Sequence, residues 1–225
     1  MEYKLPQGLI VSCQAAEGEP LYKCGIMHLF ARSAKAGGAV AIRALAGDIK
    51  AIKKETKLPV IGLIKTTYPD SSVYITPTIK EVKALIKTGC EFIAMDATFR
   101  PRPGGVILKE LVDFIRNNAP GVQLFADASN IEEVRAAEEL GFEYVSTTLR
   151  GYTEETKGIE IPDYKFIEEC SKTLTRAKLV VEGGIWEKGQ LEKVLEYKPY
   201  AVIIGTAITR PKDITARFKS CWEKN

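Results

Sequence analysis

The residue best placed to do chemistry in this 225-residue chain is Lys65, which ends the apolar run Pro59-Val60-Ile61-Gly62-Leu63-Ile64. A run of β-branched and aliphatic residues of that length suits one strand covered on both faces. Lysine is a base only when neutral, and burial among apolar groups lowers its pKa. A lysine at a strand end can also send its head to water, so the other strand ends matter. They read Gln14, Arg43, Asp96, Asp127, Thr148, Glu182 and Gly205-Thr206. Asp96 reads best as part of an ion pair between strand ends. Two glycine turns, Glu182-Gly183-Gly184-Ile185 and Gly205-Thr206-Ala207-Ile208-Thr209-Arg210, offer backbone N–H groups and an arginine to a phosphate.

The elements that must position these groups repeat eight times. Apolar runs Gly8 to Gln14, Ala39 to Arg43, Pro59 to Lys65, Glu91 to Asp96, Val122 to Asp127, Glu143 to Thr148, Leu179 to Gly184 and Ala201 to Thr206 predict strands. Between them lie helical stripes, among them Ile26 to Lys35, a short helix from Asp48, and Ile107, Leu108, Leu111, Val112 and Ile115. Thr78 to Glu81 has capping-box spacing, Asn130 and Asp163 open further helices, and Pro211 suits the first turn of the last. Eight units of roughly 28 residues predict an α/β fold, a (β/α)8 TIM barrel forming one domain over 1–225. An open doubly wound sheet is the competing architecture.

In an eight-stranded barrel the active site lies at the C-terminal strand ends, and strands three and seven face each other. Lys65 and Glu182 are then opposed across the mouth, an arrangement for moving a proton at a carbon next to a carbonyl. Arg43 and backbone N–H groups would stabilise the enolate.

Composition excludes several other classes. The formal charge of +3, from 32 basic and 29 acidic residues, is too balanced to argue for nucleic acid or a membrane surface as partner. No apolar run reaches bilayer length, and Met1 to Pro6 has no signal-peptide character, so a cytoplasmic location is expected. Cys13, Cys24, Cys90, Cys170 and Cys221 are scattered without metal or disulfide spacing, and His28 is the one histidine. No metal site and no cofactor are therefore expected.

The motifs Leu9 to Gln14, Ala39 to Arg43, Val60 to Lys65, Ala126-Asp127, Ser146 to Thr153, Val181 to Gly183 and Gly205 to Pro211 resemble those of the N-acetylmannosamine-6-phosphate 2-epimerase family. The resemblance runs from the first strand to the eighth. It implies cofactor-independent interconversion of N-acetylmannosamine 6-phosphate and N-acetylglucosamine 6-phosphate in sialic acid degradation. Carried over by motif, Lys65 and Glu182 become catalytic, and Gln14, Arg43, Asp127 and Thr148 contact the sugar. Gly183, Gly184, Gly205, Thr206 and Arg210 take the phosphate. The chain departs from the family pattern at Ala44-Leu45-Ala46-Gly47, where a longer polar turn is expected, and at Arg150 and Gly184. The residues leave open whether Glu182 returns the proton or Lys65 makes both transfers. They also leave open a Schiff-base aldolase-like barrel, a metal-dependent epimerase, a silent phosphosugar binder, and a homodimer formed through helix faces.

Overall fold

A computed structural model describes residues 4–222; Met1 to Tyr3 and the last three residues of the expected 1–225 domain lie outside the described residues. Eight parallel strands close into a barrel: β1 (Gly8–Cys13), β2 (Ala41–Leu45), β3 (Val60–Leu63), β4 (Phe92–Asp96), β5 (Gln123–Asp127), β6 (Tyr144–Ser146), β7 (Lys178–Glu182) and β8 (Ala201–Ile204). The seam is the β1–β8 pair, with Gly8 opposite Ala201 and Val11 opposite Ile204. Around it run α1 (Met27–Ala36), α2 (Ala46–Thr56), α3 (Ile79–Ile86), α4 (Leu108–Asn118), α5 (Ile131–Glu139), α6 (Tyr164–Thr173) and α7 (Lys188–Glu196). A one-turn α8 (Thr206–Thr209) precedes the final α9 (Pro211–Trp222). This is the expected (β/α)8 barrel.

Strand side chains alternate between two packed regions, as the period of two requires. In β4, Phe92 and Ala94 join the barrel interior, while Ile93 and Met95 pack against the helix ring. β2 behaves alike, with Ala41 inside and Ile42 and Ala44 outside. Continued upward, the inward parity reaches Ser12 and Gln14, Arg43, Lys65, Asp96, Asp127, Ser146 and Thr148, Glu182 and Gly205. The polar residues thus inherit their direction from the apolar residues two and four positions earlier. At the bottom, Leu5 plugs the barrel: its N–H donates to the Tyr144 hydroxyl at 3.0 Å and its carbonyl accepts from the Tyr200 hydroxyl at 2.5 Å.

Several boundaries differ from expectation. Arg43 lies in the middle of β2 rather than at its end, because pairing with β3 continues through Leu45. Helix α2 follows at once from Ala46, two residues before the expected Asp48 start. Ile107 precedes α4 and is exposed, so only Leu111, Val112 and Ile115 of its stripe are buried. The caps at Thr78, Asn130 and Asp163 form as expected. Gly62 is required by packing: a Cβ there would sit 2.7 Å from the Ile49 side chain of α2 and 2.9 Å from Cys90 Sγ.

Candidate active site

At the C-terminal mouth of the barrel lies a cavity of about 460 Å³. Gln14, Arg43, Lys65, Thr148, Glu182, Gly183, Gly184, Gly205, Thr206 and Arg210 all line it. Asp127 alone of the expected site residues does not. It is fully buried behind Arg43, whose guanidinium it holds by two hydrogen bonds, Nη1 to Oδ1 at 2.9 Å and Nη2 to Oδ2 at 2.7 Å. Arg43 Nη1 also lies 3.4 Å from Glu182 Oε2, and the guanidinium sits over the Phe125 ring at 5.6 Å. One buried cation therefore joins two carboxylates from strands β5 and β7. Burial by itself depresses the Arg43 pKa, but the neighbouring carboxylates outweigh that and raise it above the usual value, so it stays charged.

Lys65 stands two residues beyond β3. The chain folds back so that Lys65 bridges Ile75 in antiparallel fashion, with Thr66 N–H donating to the Tyr74 carbonyl at 3.0 Å and Thr76 N–H to that of Ile64 at 2.7 Å. Thr76 is held at φ 47°, costly for a β-branched residue, and its hydroxyl donates to the Ala94 carbonyl at 2.7 Å. This clasp aims Lys65 into the mouth. Its side chain is open to the cavity, yet the surrounding wall of protein pushes its pKa down, helped by the charges of Arg43 and Arg210 and opposed by Glu182 and Asp127.

Glu182 ends β7, on the opposite side of the barrel. Thr148 Oγ1 donates to its Oε2 at 2.8 Å, and Ser146 Oγ lies 2.7 Å from Thr148 Oγ1. Since Thr148 has one hydroxyl proton and spends it on Glu182, Ser146 must donate to Thr148. Burial raises the Glu182 pKa and the Asp127 charge adds to this, while Arg43 opposes them. An amine pushed toward neutrality thus shares a cavity with a carboxyl pushed toward protonation, the combination that serves general acid–base chemistry.

On the β7–β8 side, Arg210 projects from the end of α8 and pairs with Glu19 at 3.2 Å. Gly184 has φ 73°, and a Cβ there would lie 2.3 Å from the backbone carbon and oxygen of Ile161. Only glycine lets the loop after β6 close against this turn. Arg150 anchors that loop through Asp163, at 3.0 and 2.8 Å, and through the Ser129 carbonyl at 3.1 Å. Gln14 is 5% exposed; its Nε2 donates to Ser12 Oγ at 2.7 Å and its Oε1 has no partner. Asp96 is tied to Thr98 and Arg100 of the loop that follows its own strand, a structural ion pair but not the expected one between strand ends.

Sequence reasoning missed Tyr74, which lines the cavity from a loop without periodic pattern, the buried Thr76 beside it, and Tyr152, Ile161 and Trp186, which line the cavity too. Burial and the carboxylates of Asp127 and Asp96 push the Tyr74 phenol up to about 12, so it remains a neutral donor. Among the described residues no group of three or more His, Cys, Asp or Glu converges as metal ligands do.

Fold and cavity together define a (β/α)8-barrel enzyme whose mouth brings an amine and a carboxyl to one cavity. The family model described as "Putative N-acetylmannosamine-6-phosphate epimerase" matches residues 27–224, and the chain belongs to that family. A Staphylococcus saprophyticus protein named "Putative N-acetylmannosamine-6-phosphate 2-epimerase" is 48% identical, covering 98% of this chain and all of that one. A Clostridium perfringens protein of the same name is 51% identical over 93% and 94% of the two chains. The solved N-acetylmannosamine-6-phosphate 2-epimerase from C. perfringens superposes with a TM-score of 0.92 at 48% identity, over 96% of this chain and 94% of the other. The 3-hexulose-6-phosphate synthase of Salmonella typhimurium shares only the fold, with a TM-score of 0.64 at 16% identity over 95% of both chains.

Proposed function

We propose that this chain, acting as one barrel domain over 1–225, interconverts N-acetylmannosamine 6-phosphate and N-acetylglucosamine 6-phosphate in sialic acid degradation. The observation that carries the reading is the Lys65–Glu182 pair on opposite walls of one cavity, in a chain about half identical to relatives bearing that name. The sugar reacts as its open-chain aldehyde. Neutral Lys65 takes the C2 proton, the C–H electron pair moves into the C1–C2 bond, and the aldehyde oxygen becomes an enolate facing Arg43. A proton returns to C2 from the opposite face, where Glu182 is held by Thr148, and the carbonyl re-forms. Asp127 keeps Arg43 in place from below, and Gln14, which lines the cavity, contacts the sugar. Backbone N–H groups at Gly183, Gly184, Gly205 and Thr206, with Arg210, take the phosphate. Every group called on in these steps belongs to the chain.

Proton NMR of N-acetylmannosamine 6-phosphate with the protein in deuterated water and chelator tests this. Gluco-configured product deuterated at C2 is expected; an unchanged spectrum with folded protein rejects the reading. A depressed lysine also suits a Schiff base. Borohydride inactivation in the presence of substrate would support that second reading.

The reading includes a homodimer and a cytoplasmic location. None of the described residues of α9 is buried, and Phe218 and Trp222 are 73% and 85% exposed. An open apolar groove lies between β1 and α1, lined by Leu9, Val11, Phe30 and Ala34. A second copy of α9 has the apolar side chains to fill it. Light scattering with Trp222→Glu tests the assembly, which predicts a dimer converted to monomer. Cys13, Cys24, Cys90 and Cys170 are free thiols, as a reducing compartment favours, and no helix of the described residues is long and apolar enough to cross a membrane.

A further inference from the structure

Trp186 stands in the turn between β7 and α7, half-buried, and lines the active-site cavity two residues beyond Gly184. Its backbone is pinned at the start of α7, where the Trp186 and Glu187 N–H groups both donate to Gln190 Oε1, at 2.8 and 3.0 Å. Its ring is held from a different element. Arg217 of α9 places its guanidinium carbon 5.2 Å from the ring centroid, and the same guanidinium pairs with the Glu187 carboxylate. The indole N–H is accessible, yet it has no acceptor among the described residues. An aromatic donor is thus fixed at two points with its one polar side-chain atom unused, in a turn from which the proposed reaction draws only backbone N–H groups.

Resting on the proposed reading, the phosphate on C6 lies at the β7–β8 turns, beside this side chain. Gly183, Gly184 and Gly205 have no side chain to turn toward it, and Arg210 is shared with Glu19. The three terminal oxygens of a phosphate take more hydrogen bonds than those few donors supply. We infer that Trp186 is a further substrate-binding residue, its indole N–H donating to a phosphate oxygen, and that Arg217 is the positioning residue that holds the ring for it. An indole is a donor only, so it suits an anion and adds no charge of its own. The guanidinium over the ring face fixes the ring plane by cation–π attraction, and the pair with Glu187 fixes the guanidinium in turn. Helix α9, none of whose described residues is buried, reaches the phosphate end of the cavity through this contact.

Trp186 and Trp222 are the two tryptophans of the chain, so Trp222→Phe leaves Trp186 as the sole emitter. Titration of that protein with inorganic phosphate should give a saturable change in emission that potassium chloride at matched ionic strength does not give. With Arg217→Gln added, about two- to five-fold more phosphate should be needed, the weight of an exposed cation–π contact. In turnover of N-acetylmannosamine 6-phosphate, Trp186→Phe keeps an aromatic ring and loses the N–H. KM should then rise about ten-fold or more, the weight of one hydrogen bond to a charged group, with kcat held within about two-fold. Arg217→Gln should raise KM and Arg217→Lys should restore it, since an ammonium can still sit over the ring; a general folding defect would not divide in this way. Emission that ignores phosphate overturns the inference, as does an unchanged KM in Trp186→Phe. The titration uses the native Trp186, so it stands even where a variant fails to fold. The two readings also fail separately: no epimerisation with a phosphate-sensitive Trp186 refutes the reaction and keeps the subsite, whereas turnover with silent emission refutes the subsite alone.

Discussion

Replacing Asp127 by asparagine removes one carboxylate from a buried three-charge cluster while keeping its shape. Arg43 is 1% exposed and loses its bidentate partner, with only Glu182 left, at 3.4 Å. Stripping one partner from a buried ion pair costs about 3–5 kcal/mol. The asparagine oxygen still accepts one hydrogen bond, so the low end applies, about 3 kcal/mol. At about 2–4 °C per kcal/mol for a chain of this size, Tm should fall by about 6–12 °C. The pH profile provides a second reading that a purely structural defect would not move. The Asp127 charge raises the pKa of Glu182 and also that of Lys65, so its removal lowers both. Both limbs of the bell in kcat/KM should shift toward acid, while Arg43, freed to bind Glu182 more closely, reduces the peak by about a hundred-fold. Differential scanning fluorimetry and initial rates of C2 deuterium incorporation between pH 5 and 10 measure these effects. A Tm change below about 1 °C, or limbs that stay in place, would refute the account of the cluster.

Three further substitutions probe separate parts of the site. Glu182→Gln should cut epimerisation by about a hundred-fold or more, while deuterium exchange at C2 persists through Lys65; loss of both together would point to one coupled base. Arg210→Gln should raise KM about ten- to a hundred-fold through the lost charge-assisted contact. It should also move the limb set by Lys65 to higher pH, because the Arg210 charge normally lowers that pKa; unchanged KM would place the phosphate elsewhere. Gly184→Ala puts a Cβ 2.3 Å from Ile161 backbone atoms at φ 73°, so the loop after β6 must move. A cost of about 2–4 kcal/mol is expected from the left-handed backbone and the clash, read as a drop in Tm with a raised KM; a neutral variant would show that the loop packs loosely.

The site combines groups of different rigidity. Arg43 and Asp127 are buried, cross-linked and held by neighbouring strands, which suits a fixed electrostatic role. Lys65 rests on a clasp whose strained Thr76 is retained by hydrogen bonds to Ile64 and Ala94. Glu182 is held by a hydroxyl pair that can turn as its proton comes and goes. The amine and the carboxyl, the groups that must change charge, are those with side chains open to the cavity.

Much of this was legible from residues alone, because the relevant signals are local. Apolar runs alternating with helical stripes set the barrel, and the period of two along each strand aims Arg43, Lys65, Asp127 and Glu182 at one mouth once the inner apolar residues are buried. The capping box at Thr78 and the cap at Asn130 depend on four consecutive residues and formed as expected, the latter as a full box with Glu133. Pairings made across the closed barrel were not legible. Asp127 shares the inward parity of the others, yet it is drawn beneath Arg43, 84 positions away in sequence, and out of the cavity. The Tyr74–Thr76 clasp follows from antiparallel pairing of an irregular loop, which has no periodic signature. Not legible either was the second cavity of about 400 Å³ beside the first, whose lining draws Ala46 and Gly47 of α2 together with Tyr22 and Tyr74 from distant loops. Sequence determined which way each strand residue faces, since that is a property of one strand; which charges meet, and which gaps remain, depended on closing all eight.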